Sequence, residues 1–301
     1  MSQDSLSENE DMNLPFEFRR SPVSDEQQKK NWNSIESSLQ TAAGVPKRRW
    51  SNAIYSAAFV IIIVAGILFV NTGVPKNINS YKTGFAQTKS LTLPDGSKVI
   101  LNANSSLRIT ADWTNLKERE VWLEGEAFFE VEKKPATNQK FIVHAKDVDV
   151  EVLGTRFNVN TRHETSTVAL EEGKVKLSAK GKLETILTSK NKSAIIEMKP
   201  GEVVTADPSA GLEIESEDQI QNNSGWVRNE WHFDSTTLRE VSVMIEDVYG
   251  YKTVAADSSL LDIPITGDLR AANINELLAV LQFTSKLTMT KERKTIIVTR
   301  P

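Results

Sequence analysis

The sequence of 301 residues contains no cysteine. Disulfides, thiol nucleophiles and cysteine metal sites are excluded together, and an oxidising compartment is permitted without being required. Histidine is scarce as well: His144, His163 and His232 are scattered, and no H-E-x-x-H, G-x-S-x-G or phosphate-binding glycine loop occurs. The paired acids Glu171-Glu172 fall at a predicted turn. No catalytic constellation, cofactor site or metal site is therefore expected, and each histidine is read as a strand-surface or edge residue. Charge of one sign is not in excess, since 36 Lys and Arg against 40 Asp and Glu leave a net charge of −4. That excludes direct nucleic-acid binding through overall basic charge. Basic residues are missing entirely from Met1 to Phe18, where Asp4, Glu8, Glu10, Asp11 and Glu17 stand alone. With so little apolar content the segment is expected to be disordered by itself. Its one apolar cluster, Leu14-Pro15-Phe16-Glu17-Phe18, reads equally as a docking motif or as an accident of composition.

From Ser51 to Pro75 charge of both signs is absent, and here the residues are mostly apolar. The core of this window, Ala53–Val70, reads AIYSAAFVIIIVAGILFV. At the helical rise such a stretch covers about 27 Å, close to a hydrocarbon thickness of roughly 30 Å. Ile61, Ile62, Ile63 and Val64 are apolar all the way round a helix, unlike an amphipathic core helix. A cleaved signal peptide does not fit, because 49 residues precede Trp50 and no A-x-A-like site follows Val70. Residues 51–73 are thus predicted to be a transmembrane helix. Lys47, Arg48 and Arg49 at its entrance, with Trp50 as an interfacial anchor, place the N-terminus in the cytoplasm and everything beyond Pro75 outside.

Residues 1–49 form the cytoplasmic tail, with a helix expected over about 25–43. Ser24 with Gln27 makes a capping box, Gly44 suits a C-cap and Pro46 forbids continuation. Trp32, Ile35 and Leu39 fall on one face at i, i+3 and i+7. A lone helix cannot bury such a stripe, so it implies a protein partner or, alternatively, the bilayer surface.

Beyond a linker assigned to residues 74–89, residues 90–215 show period two broken by turns, the pattern of an all-β domain. Leu91 and Leu93, the turn Pro94-Asp95-Gly96-Ser97, then Val99 and Leu101 give a hairpin signature. Further turn glycines at Gly125, Gly154, Gly173 and Gly201 hint at stacked β layers. The runs LPDGSKVILNANSSLRI, REVWLEGEAFFEVEKK, FIVHAKDVDVEVLGTRFNV and EEGKVKLSA resemble the successive motifs of the FecR-type periplasmic domain of bacterial anti-sigma factors.

Residues 216–301 alternate strand and helix patterns, and two βαβ units are expected. Thr237 with Glu240, and Asn273 with Glu276, make capping boxes. The helices they open carry Leu238, Val241, Ile245 and Val248 in one case, and Ile274, Leu277, Leu278 and Leu281 in the other. The runs WHFDSTTLREVSVMIEDVYGYKTV and ITGDLRAANINELLAVLQFTSKL resemble the C-terminal domain that follows the FecR-type domain in the Bacteroidetes branch, which is akin to the short signalling domain of secretins and TonB-dependent receptors.

The resemblance implies a single-pass anti-sigma factor of the inner membrane with periplasmic C-terminal domains. Its tail would sequester an extracytoplasmic-function sigma factor through Trp32, Ile35 and Leu39. The signal would come from the signalling domain of a TonB-dependent outer-membrane transducer of iron or nutrient uptake, with proteases acting near the span. Reception is expected at Thr295, Ile296, Ile297, Val298 and Thr299, a run that fits either an edge strand open to β-addition or a covered core strand. One departure is the short tail, since many members carry a longer helical cytoplasmic domain. Two other classes remain: a membrane-anchored envelope scaffold, which needs no Trp32–Ile35–Leu39 stripe, and an enzyme, which needs a pocket of perturbed titratable groups.

Overall fold

The computed structural model describes residues 24–42, 78–110, 113, 117–215 and 223–301. The predicted span, its basic flank and the Leu14–Phe18 cluster lie outside these residues; among those described, no helix is long and apolar enough to cross a membrane. The chain divides into two compact units, residues 1–73 and 74–301.

In the first unit lies helix α1, Asp25–Ala42. The Ser24 carbonyl accepts from the amides of Gln27 and Gln28 at 2.9 and 3.1 Å, which starts the helical ladder. Asp25 and Glu26 occupy the first turn, where negative charge complements the helix dipole.

The second unit begins with a β-sandwich. One sheet contains, in spatial order, β1 (Ile78–Lys82), β4 (Ser106–Thr110), β5 (Glu118–Glu124), β7 (Lys140–His144), β8 (Val148–Val152), β11 (Val175–Ala179) and β12 (Ile195–Met198). The other contains β2 (Lys89–Thr92), β3 (Lys98–Leu101), β6 (Glu126–Glu130), β9 (Arg156–Asn160), β10 (Ser166–Glu172), β13 (Val203–Asp207) and β14 (Gly211–Glu215). In both sheets spatial order is chain order. The chain lays down one or two strands in one sheet, crosses to the other, and returns one step further along. Neighbours are antiparallel except β5 and β7, which are parallel because β6 crosses between them.

Strand parity builds the core. In β8, Val148, Val150 and Val152 point inward while Asp149 and Glu151 face out. Phe129 and Phe157 stack with ring centroids 5.1 Å apart, Phe141 meets Phe129 edge-on at 6.1 Å, and all three are fully buried. Each such ring stabilises the fold by about 1.5–3 kcal/mol. The crossings need glycine. At Gly125, between β5 and β6, φ is +92° and a Cβ would lie 2.7 Å from that of Ser105. At Gly173, between β10 and β11, φ is +96° and a Cβ would lie 2.8 Å from the Gly154 carbonyl oxygen.

Two features of the sandwich differ from the sequence expectations. Residues 78–82, assigned to the linker, form β1 and pair with β4, from Ile78 opposite Thr110 to Lys82 opposite Ser106. This strand is mostly exposed and lacks alternation, so its sequence reads as coil. A helix, α2 (Gly181–Ser189), interrupts the β pattern and buries Leu183 and Leu187, an i, i+4 pair. Gly125, Gly154 and Gly173, read as turn glycines of stacked β layers, stand where the chain passes between the two sheets.

A 3-10 turn, Gly225–Arg228, leads into the C-terminal module. Its elements are β15 (Glu230–Thr237), α3 (Leu238–Tyr249), β16 (Lys252–Ala255), β17 (Pro264–Arg270), α4 (Ile274–Ser285), β18 (Thr288–Glu292) and β19 (Thr295–Thr299). The strand–helix–strand order is as read, yet these are not two βαβ units. β15 pairs with β17, whereas β16, β19 and β18 form a separate sheet, so the strands flanking each helix lie in different sheets. At α3 the capping box is reciprocal: the Glu240 amide donates to Thr237 Oγ1 at 3.3 Å and the Thr237 amide to Glu240 Oε2 at 2.7 Å. Gly250 closes α3 in the left-handed conformation at φ +72°. At α4, Asn273 accepts from the amides of Asn275 and Glu276, while Glu276 reaches back to the Ala272 amide. The inner faces of both helices carry the eight apolar residues expected.

Candidate functional site

Helix α1 presents Trp32 and Ile35, 69% and 49% exposed and one turn apart. Leu39 lies in the same helix. The hydroxyls of Ser34, Ser37 and Ser38 are engaged with carbonyls of their own helix, at Asn31, Ser34 and Ile35 among others. An indole and a branched aliphatic side chain exposed one turn apart form an apolar patch whose burial against a partner is favourable.

The second predicted surface is placed differently. β19 is the middle strand of its sheet, parallel to β16 on one side and antiparallel to β18 on the other. Ile296 and Val298 are 1% and 0% exposed. Of the two placements open to Thr295–Thr299, the covered one holds. Strand addition onto this run is ruled out, because both of its edges are already paired. The unpaired edges of that sheet belong to β16, where Val254 is 54% exposed, and to β18, whose side chains other than Met289 are exposed.

A polar row crosses the outer face of the first sheet, its members set side by side by register: Arg108 opposite Trp122, Trp122 opposite His144, and His144 opposite Asp149. The Trp122 and His144 rings stack at 5.2 Å. His144 Nδ1 is 2.8 Å from Asp149 Oδ1, and this hydrogen bond holds the imidazole pKa above its ordinary value against the opposing effect of burial. Burial pushes the Asp149 carboxyl up, but hydrogen bonds from His144 and Lys180 outweigh it and leave the group below the usual carboxylate range. The other histidines also sit beside single aspartates, His163 beside Asp247 at 2.8 Å and His232 beside Asp268. Among the described residues, no group of three or more His, Cys, Asp or Glu is arranged to hold a metal ion.

Sequence reasoning missed the polar junction between sandwich and C-terminal module. The buried Glu126 carboxylate accepts from Asn102 Nδ2 at 2.7 Å, Asn158 Nδ2 at 3.0 Å and Arg162 Nη1 at 2.8 Å. Asn158 Oδ1 accepts from the indole of Trp226, 3.3 Å away in the 3-10 turn, and Arg162 Nη2 donates to the Ala103 carbonyl at 2.5 Å. A carboxylate held by one guanidinium and two amides is a satisfied buried charge. It fastens the start of the module to the middle strands of the sandwich.

Comparison with known proteins places these two domains in one family. Residues 79–176 match the family model described as FecR protein, and residues 230–298 match the model described as FecR, C-terminal. Two crystal structures of a candidate anti-sigma factor from Parabacteroides distasonis, at 2.50 and 1.65 Å resolution, superpose with TM-scores of 0.61 and 26% identity. They cover 75% and 74% of this chain, and 100% and 99% of their own. A comparison with curated proteins found no match. Two FecR models in the order in which the sandwich and the module occur, together spanning more than half of the sequence, establish that the chain belongs to the FecR family.

Proposed function

We propose that this chain is a single-pass inner-membrane anti-sigma factor whose N-terminal tail holds an extracytoplasmic-function sigma factor inactive. The observation that carries the reading is the solvent-exposed Trp32–Ile35 stripe on α1, on the N-terminal side of the apolar run Ala53–Val70. The FecR matches on the other side of that run, and the likeness to a candidate anti-sigma factor, support the same reading. Leu39 completes the sigma-binding face. Sandwich and C-terminal module lie in the periplasm. The module receives the signal from the related domain of a TonB-dependent transducer, and a protease acts near the span to release the sigma factor. With β19 covered, a transducer strand adds to the free edge of β16 or β18.

The test is binding of the full-length protein, in detergent, to the extracytoplasmic-function sigma factors of its source bacterium. Truncating a buried aromatic anchor costs about 2 kcal/mol, so Trp32→Ala should weaken capture roughly thirtyfold while membrane insertion is unchanged. If Trp32→Ala and Ile35→Ala both bind as tightly as the wild type, α1 is not the interface.

A further inference from the structure

Strand register fixes which residues share an end of the first sheet. Ile78, where the chain enters β1, lies opposite Thr110, and Ile109 lies opposite Val121. From there Glu118 stands beside Lys140, Phe141 beside Val152, Glu151 beside Lys176, and Val175 beside Met198. The end at which the chain enters the sandwich is therefore the end that carries Leu153, Lys174 and Lys199. The C-terminal module is attached at the opposite end, where the Thr83 amide donates to the Ser105 carbonyl and the Ala86 amide to the Val248 carbonyl.

At the entry end a cavity of about 670 Å³ opens beside β8, β11 and β12. Lys133, Lys174, Lys176 and Lys199 line it, and none of their ammonium groups has an ion pair or hydrogen bond with the described residues. Of the two carboxylates in the lining, Glu151 is paired with Lys140 at 2.9 Å, which leaves Glu197 against four free cations. Glu202, next to the cavity, is turned onto the Lys199 amide at 2.8 Å. Leu153 adds an apolar side chain, 44% exposed. The local fold gathers these groups. A Cβ at Gly154 would lie 2.8 Å from that of Lys133, so glycine is what lets the loop after β6 close on the β8–β9 crossing, and Thr155 Oγ1 holds the Lys174 carbonyl at 3.1 Å.

Ile78 follows Val70, the last residue of the apolar run, by eight residues. Fully extended chain of that length reaches about 28 Å, so β1 starts within that distance of the run whatever path the chain takes. Strands spaced about 4.8 Å apart put β8, β11 and β12 about 20–30 Å from β1 along the same end.

We propose that this end of the sandwich is a bilayer-docking surface, at which the four lysines bind the phosphates of anionic phospholipid headgroups and Leu153 enters among them. Each lysine near an anionic surface strengthens the attraction about fivefold, and the tether makes the contact intramolecular, so a modest surplus of charge is enough. Docked in this way, the sandwich stands on the membrane and holds the C-terminal module at its far end, where a transducer reaches it. The inference rests on the reading of Ala53–Val70 as a membrane span.

The absence of cysteine supplies the test, because one introduced thiol carries a unique label. The full-length protein with Leu153→Cys, or with Val254→Cys on the module for comparison, is labelled with an environment-sensitive fluorophore. It is then reconstituted into vesicles of phosphatidylcholine with or without phosphatidylglycerol, each containing a headgroup spin-labelled lipid as quencher. Quenching at position 153 should be strong with phosphatidylglycerol and at least about fivefold weaker without it. The combined changes Lys133→Gln, Lys174→Gln, Lys176→Gln and Lys199→Gln should abolish it, and position 254 should stay unquenched throughout. The lipid comparison involves no charge substitution, so misfolding of the glutamine variant does not affect it. Absence of quenching at 153, equal quenching in the two lipids, or quenching at 254 as strong as at 153 overturns the proposal. Vesicle flotation separates its failure from that of the reading beneath it. A protein that floats without quenching at 153 keeps its span and loses only the docking surface, whereas one that does not float loses both.

Discussion

Replacing Ile297 with proline is expected to unfold the C-terminal module and leave the sandwich folded. Ile297 stands opposite Val254 of β16 and Thr290 of β18, so the substitution falls in the centre of a sheet. Proline has no main-chain N–H, and in a strand paired on both sides it orphans a ladder carbonyl at a cost of about 1–3 kcal/mol, before the clash of its ring is counted. Its neighbours Ile296 and Val298 are core residues, so any displacement of the strand opens the packing against α3 and α4. A module of this size is stable by only about 4–10 kcal/mol in total. Hydrogen exchange should show protection lost across Lys252–Thr299 and retained across Lys98–Asp207. A variant whose module stays fully protected would mean that β19 tolerates proline as an edge strand does.

The largest effect on the sandwich should come from Arg119. Its side chain is 0% exposed, and Nη1 lies 2.5 Å from Asp95 Oδ2. Nη1 also donates to the Glu132 carbonyl at 2.9 Å, and Nη2 to the Gln139 carbonyl at 2.7 Å. One guanidinium thus joins β5, the β2–β3 turn and the loop between β6 and β7, with the Phe141 ring 5.4 Å from its carbon. Removing one partner of a buried pair costs about 3–5 kcal/mol, because the charge left behind has no water. Arg119→Ala should therefore lower the urea midpoint of the sandwich by a large part of its value. The double variant Arg119→Ala/Asp95→Ala should be less destabilised than the sum of the two single ones, since it strands no carboxylate. Arg119→Lys should recover only part of the loss, because an ammonium cannot span three acceptors as a fork does. Strict additivity in this cycle would show that the pair is not coupled.

Where structure is determined within a few residues, the sequence was readable. The turn at Asp95 forms as its residues require: Asp95 accepts from both the amide and the hydroxyl of Ser97, and Leu91 comes to lie opposite Val99. The capping residues Thr237 and Asn273 start helices because their side chains replace missing backbone acceptors, and the Trp32–Ile35 stripe follows from helical spacing alone. The destination of a strand is another matter. A glycine turn after an alternating strand looks the same whether the chain folds back in its own sheet or steps across to the other, as it does at Gly125 and Gly154. Five β-favouring residues at Thr295–Thr299 fit an edge or a centre, and the parallel pairing with β16 that decides between them joins distant parts of the chain. Helix α2 escaped notice because one turn of leucine spacing is too short to establish a period inside a run of strands. Arg119 was missed although a signal existed: it shares inward parity with Val121 and Leu123, which marks a charge that must be paired inside. The junction of Glu126, Asn158, Arg162 and Trp226 has no such marker, since residues so far apart in sequence meet only in the folded chain.

The central claim is that the tail captures a sigma factor while the domains beyond residue 75 do not. Its most direct measurement is co-purification from detergent extracts of the source bacterium, using the full-length protein and a form lacking residues 1–49. The account predicts that an extracytoplasmic-function sigma factor is recovered with the full-length protein and lost completely with the shortened form. Recovery of the same sigma factor with both forms, or of none with either, would contradict it.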